Sequence, residues 1–195
     1  MAQRIIILIS GRGSNMEAIL QSSRAGLLQA QCEIVGVISN KPGASGLAIA
    51  ESYGISTSIV PSKGKSREDF DRELMGEIDR IGADLIVLAG FMRILTPVFI
   101  QHYPKRIINI HPADTTAHQG VNGYKWAWEE GLAETFVTVH FVDEGVDTGE
   151  VIGKRSVDLR GTSTLEEVER EGLKVEHEFY SEMILSVLKI GIAVT

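Results

Sequence analysis

The run Arg4-Ile5-Ile6-Ile7-Leu8-Ile9, followed by Ser10-Gly11-Arg12-Gly13-Ser14-Asn15, constrains the fold more than any other stretch of the chain. Five consecutive aliphatic residues leave no polar face. The segment therefore reads as an inner strand of a parallel sheet, covered on both sides. The glycines mark a tight turn, with Ser14 or Asn15 expected as the N-cap of a helix. Apolar residues at helical spacing, Met16, Ile19 and Leu20, carry that helix to about Gly26.

The same strand-then-helix pattern recurs along the chain. Strands are expected at Cys32–Ser39, Thr57–Val60, Leu85–Ala89, Arg106–Pro112, Phe136–Val142 and Val151–Val157. Helices are expected over Gly46–Tyr53, from a Ser66 cap to Ile81, over Pro97–Tyr103 and over Tyr124–Glu130. A long final helix begins at Thr164 and is expected to break near Gly172. This alternation predicts an α/β fold: a doubly wound, mostly parallel seven-stranded sheet with helices on both faces.

Length and charge narrow the function. A chain of 195 residues suits one domain with a substantial core. A formal charge of −7 without a basic run argues against nucleic acid or an anionic membrane as partner. The single Cys32 allows no internal disulfide and fits a reducing compartment. The Ile5–Ile9 run is too short for a signal sequence, and no stretch is long enough to span a membrane. A cytoplasmic protein is expected, monomer or homodimer, acting on small molecules.

Two candidate sites emerge. In the first, Gly11, Arg12, Gly13, Ser14 and Asn15 join a strand to a helix, a geometry in which free backbone amides meet an anion. A dinucleotide fingerprint would need a third glycine at Met16 and an acid after the second strand, where Ser39 and Asn40 stand. No Walker lysine follows, so a monophosphate fits best; a turn that needs glycine only for its shape is the alternative.

The second site lies in Ile108-Asn109-Ile110-His111-Pro112. Alternation puts Asn109 and His111 on one strand face, and Pro112 ends the strand. Ligands of open α/β sheets bind at such carboxyl ends. Asp147, in the turn Asp143-Glu144-Gly145-Val146-Asp147-Thr148-Gly149, can face His111 if the neighbouring strands end together. A carboxylate there is expected to raise the imidazole pKa and keep the ring protonated near neutrality. Amide, imidazolium and carboxylate suit acyl transfer, with Asn109 and His111 donating to an oxyanion. His140 reads as structural, and the histidines lack metal-ligand spacing, so no metal is expected.

Taken in order, several segments resemble the phosphoribosylglycinamide formyltransferase family. They are Ile9–Asn15, Val87-Leu88-Ala89-Gly90-Phe91-Met92-Arg93-Ile94-Leu95, Asn109–Pro112, Val139–Val142, Asp147-x-Gly149 and Glu176-His177. The resemblance implies a single Rossmann-like formyltransferase domain over residues 1–195. Its N-terminal part would bind phosphate, and its C-terminal part would bind folate and carry the catalytic residues. It also implies transfer of a formyl group from 10-formyltetrahydrofolate, as co-substrate, to the amine of glycinamide ribonucleotide in purine synthesis. By the same resemblance Asn109, His111 and Asp147 are catalytic. Gly11, Arg12, Gly13, Ser14, Asn15 and Glu176 would hold the ribonucleotide. Arg67, Met92, Arg93, Ile94, Leu95, Asn109, Val142, Asp143 and Asp147 would meet the folate.

The chain departs from that family in two places. Where relatives continue Ser-Leu-Leu-Pro after the Asn-x-His-Pro motif, this chain has Ala113-Asp114-Thr115-Thr116-Ala117-His118-Gln119-Gly120. That change alters the stiffness and polarity of a loop expected over the acceptor amine. It fits a family variant with a wetter lid, or else a different acceptor. In the last helix, Leu173 stands where a phosphate-contacting lysine is usual, with Lys174 beside it. Within the same fold the rivals are a formyltetrahydrofolate hydrolase and methionyl-tRNA formyltransferase. A non-catalytic folate- or nucleotide-binding protein is the rival of another class.

Overall fold

The computed structural model describes residues 2–191. Seven strands, β1 (Gln3–Ile9), β2 (Cys32–Ser39), β3 (Thr57–Ile59), β4 (Leu85–Leu88), β5 (Ile107–His111), β6 (Glu134–Phe141) and β7 (Val151–Asp158), form one sheet in the order β3-β2-β1-β4-β5-β6-β7. The first five strands are parallel; β6 runs antiparallel to both β5 and β7. Strand order reverses between β1 and β4, and that switch point opens a crevice at the carboxyl edge.

Six helices cover the sheet: α1 (Ser14–Ala25), α2 (Gly46–Ser52), α3 (Arg67–Ile81), α4 (Pro97–His102), α5 (Gly123–Glu129) and α6 (Leu165–Ile190). The aliphatic run of β1 serves both faces. Ile5, Ile7 and Ile9 pack with α1, α2, α5 and α6, while Ile6 and Leu8 pack with Phe70, Leu74 and Ile78 of α3 and Phe99 of α4. All five residues are fully buried, as expected of an inner parallel strand.

Two local expectations fail. The N-cap of α1 is Gly13, at φ +76°, and neither Ser14 nor Asn15 caps the helix. A left-handed residue is needed to turn the chain from β1 into the helix, and glycine adopts that conformation without steric cost. Helix α6 runs unbroken through Gly172, starting from a complete Thr164/Glu167 capping box. Gly172 is there for close approach: a Cβ at that position would overlap the ring of Tyr124.

Tyr180 and Ser10 position the carboxyl edge. Tyr180 of α6 donates from its buried hydroxyl to the Leu88 carbonyl at 2.9 Å and the Ile108 carbonyl at 3.2 Å. It thereby ties the ends of β4 and β5 together. Ser10 Oγ donates to Asn40 at 2.6 Å and accepts from the Met92 amide at 2.7 Å, linking the glycine turn to the loop after β4.

Candidate active site

The glycine turn is packed from below. The Gly46 amide donates to the Gly11 carbonyl at 3.1 Å, and a Cβ on Gly46 would come within 2.7 Å of Ile9. With no side-chain cap on α1, the first-turn amides are left without a side-chain acceptor. Arg12 is exposed, and Asn15 is buried with its Nδ2 donating to Glu176.

Beyond Ser10 lies a cavity of about 540 Å³, a size typical of small-molecule sites. It is lined by the segment from Gly90 to Leu95, by Asn109 and His111, and by Val142, Asp143 and Asp147. Met92 and Ile94 are exposed at its rim, Leu95 is buried, and Arg93 lies over the Phe70 ring at 5.2 Å. Arg67 is exposed at the start of α3 and does not line this cavity, so the structure does not bring it to the other folate-pocket candidates.

Asn109, His111 and Asp147 converge. Asp147 Oδ2 lies 3.3 Å from His111 Nδ1, and Asn109 Nδ2 donates to Asp147 Oδ1 across 3.3 Å. Asp147 has φ +54°, a left-handed conformation that non-glycine residues rarely adopt. Its turn is pinned by the Gly120 amide, which donates to Oδ2 at 2.8 Å. His111 Nε2 donates to the His118 carbonyl at 2.9 Å, so Nδ1 is the ring nitrogen that faces the carboxylate.

One sequence reading is corrected here, and one residue joins the cluster. The pKa of His111 lies below its ordinary value, because burial of the ring outweighs the pull of Asp147. His140 is part of the cluster: its Nε2 stands 3.4 Å from Asp147 Oδ1, and its Nδ1 meets the Phe141 carbonyl at 2.8 Å. Burial by itself would raise the pKa of Asp147, but hydrogen bonds from His140 and Gly120 and the charge of His111 hold it below the ordinary value. The missed signal is pairing: β5 and β6 are antiparallel, and His140 is the cross-strand partner of Asn109.

The unusual loop after Pro112 is knitted in place. Asp114 accepts from the Thr116 amide at 3.0 Å and forms an ion pair with Lys154 of β7. The Ala113 carbonyl accepts from Thr138 at 2.7 Å, and the His118 ring stacks on Trp126 at 4.9 Å. Farther along, Glu176 is buried and Lys174 pairs with Glu171 at 2.8 Å on the helix surface. Among the described residues no group of His, Cys, Asp or Glu could hold a metal ion, and no helix is long and apolar enough to cross a membrane.

The fold and the site define a doubly wound α/β protein whose carboxyl edge carries a glycine turn and an amide–imidazole–carboxylate cluster. Residues 3–184 match the formyl transferase family. The phosphoribosylglycinamide formyltransferase of Escherichia coli is 38% identical over 92% of this chain and 84% of its own length. A trifunctional purine biosynthetic protein of Drosophila melanogaster is 39% identical over 90% of this chain, which spans 13% of that longer protein. The glycinamide ribonucleotide transformylase structure from Symbiobacterium toebii superimposes with a TM-score of 0.91 at 35% identity, covering 96% of this chain and 88% of the other. The chain belongs to the phosphoribosylglycinamide formyltransferase family.

Proposed function

We propose that this protein transfers the formyl group of 10-formyltetrahydrofolate to the amine of N1-(5-phosphoribosyl)glycinamide, in purine biosynthesis in the cytoplasm. One domain carries both halves of the site. The observation that carries the reading is the position of Asn109, His111 and Asp147 in the cavity wall, with Met92 of the same wall bonded to Ser10, the residue before the glycine turn. The turn through Gly11, Gly13, Ser14 and Asn15 binds the phosphate by its backbone amides. Met92, Arg93, Ile94, Leu95, Val142 and Asp143 receive the folate.

Asn109 Nδ2 and His111 Nδ1 are held to Asp147 only by long contacts of 3.3 Å. Asn109 can therefore turn an N–H toward the oxygen that becomes negative as the amine adds to the formyl carbon, and His111 Nδ1 becomes a second donor once it has taken up a proton, since in the neutral ring the proton sits on Nε2. Asp147 accepts the proton that the attacking nitrogen loses. That proton passes from Asp147 to His111 Nδ1, 3.3 Å away, and from there to the folate nitrogen as the carbon–nitrogen bond breaks, so carboxylate and ring end as they began. A buried imidazole with a lowered pKa gives up a proton more readily than an ordinary one, which suits this last step.

The test is a tetrahydrofolate-release assay with and without the ribonucleotide. Release that depends on the amine supports the proposal, release without it indicates a hydrolase, and binding of either ligand without release indicates a binding protein.

A further inference from the structure

The loop from Ala113 to Gly120 grips both members of the histidine–carboxylate pair. The His118 carbonyl accepts from His111 Nε2 at 2.9 Å, and the Gly120 amide donates to Asp147 at 2.8 Å. The base of the loop is tied to the sheet. The Ala113 carbonyl accepts from Thr138 of β6 at 2.7 Å, and Asp114 pairs with Lys154 of β7. The His118 amide donates back to the Asp114 carbonyl at 2.9 Å.

The far end of the loop is held by rings. The His118 imidazole lies on Trp126 of α5, with centroids 4.9 Å apart and 11° between the planes. Its Nε2 donates to the Val121 carbonyl at 3.1 Å. The rings of His118 and His111 are also nearly parallel, at 19°, with centroids 6.4 Å apart. Offset rings at such separations attract one another.

A carbonyl oxygen only accepts, so the proton of the neutral His111 ring sits on Nε2. Without that acceptor the proton is drawn to Nδ1, where Asp147 stands at 3.3 Å. Nδ1 then has no lone pair for the proton that Asp147 collects. We propose that His118 is a positioning residue for formyl transfer: stacked on Trp126, it holds its carbonyl against His111 Nε2 and so keeps Nδ1 open toward Asp147. The inference rests on the proposed function, and it gives the polar loop after Pro112 a task in the path of the proton.

Two measurements on His118→Ala test it. NMR of the ring nitrogens should show the neutral His111 ring protonated on Nε2 in the wild type, and the proton shifted toward Nδ1 in the variant. The kcat should fall at least about tenfold, part of the roughly 10²-fold or more that a positioned acid or base supplies, while both KM values stay within about twofold. His118→Phe keeps a ring on Trp126 without the imidazole nitrogens. It should recover most of the lost kcat and the Nε2 tautomer. Trp126→Leu removes the other ring, should repeat the result of His118→Ala, and decides the matter if His118→Ala does not fold. An unchanged tautomer or an unchanged kcat overturns the inference. So does a His118→Phe variant as slow as His118→Ala, which would make the imidazole itself a reacting group. Wild-type protein that does not turn over the ribonucleotide overturns the proposed function; the tautomer measurement needs no substrate and still decides whether His118 sets the His111 ring.

Discussion

The carboxylate of Asp147 lies 3.3 Å from Nδ1 of His111, on a residue held at φ +54°. The charge of Asp147 pulls the imidazole pKa up against burial. Asp147→Asn keeps the shape and removes the charge. The His111 pKa should then fall further, as read by NMR titration of its ring nitrogens. Turnover should drop by roughly 10²-fold or more, the usual range for losing a positioned acid or base.

Asn109 is the donor with two amide hydrogens and no competing short bond. Asn109→Ala should lose roughly 3 kcal/mol of transition-state stabilisation, the scale of one oxyanion donor. His111→Ala should lose most turnover as well. Both variants are expected to fold, which circular dichroism checks. Full activity in either would remove that residue from the mechanism.

His140 lowers the pKa of Asp147 through its hydrogen bond. Its replacement by Phe should raise that pKa. Activity that needs ionised Asp147 should then decline at a higher pH on the acid side than in the wild type. A pH–rate profile with an unmoved acid limb would leave His140 a purely packing role.

The ion pair with Lys154 and the bonds from Thr116 hold the Asp114 carboxyl down at about 2. A folded pKa below the unfolded value contributes stability that is present above about pH 4 and disappears as pH falls toward the folded value. The pair is partly exposed and screened by solvent, so the contribution is small, under about 1 kcal/mol. Asp114→Asn should lower the urea midpoint slightly at pH 7. The difference from wild type should close as pH is taken from about 4 toward 2.

Much of the architecture is legible along the chain, because periodicity and turn chemistry are local. The Ile5–Ile9 run shows a strand buried on both faces, Ser66 caps α3 as expected, and alternation places Asn109 and His111 on one face of β5. The resemblance in ordered motifs reaches as far as the family. The α1 cap and the continuity of α6 lie beyond that local pattern, because Gly13 takes the left-handed turn against Gly46 of α2 and Gly172 makes room for the Tyr124 ring.

Periodicity, turn signals and motif order thus sufficed for the sheet, its helices and the strand that carries the amide and imidazole. Only the folded molecule could add His140 to the cluster, assign His111 Nε2 to the His118 carbonyl and leave Asn15 Oδ1 without a partner. The protonation preference of His111 was also decided there, since burial and a facing carboxylate oppose each other and their balance depends on depth and distance. A linear pattern records which face a side chain occupies. It does not record how far that face lies from water or from a charge on another strand.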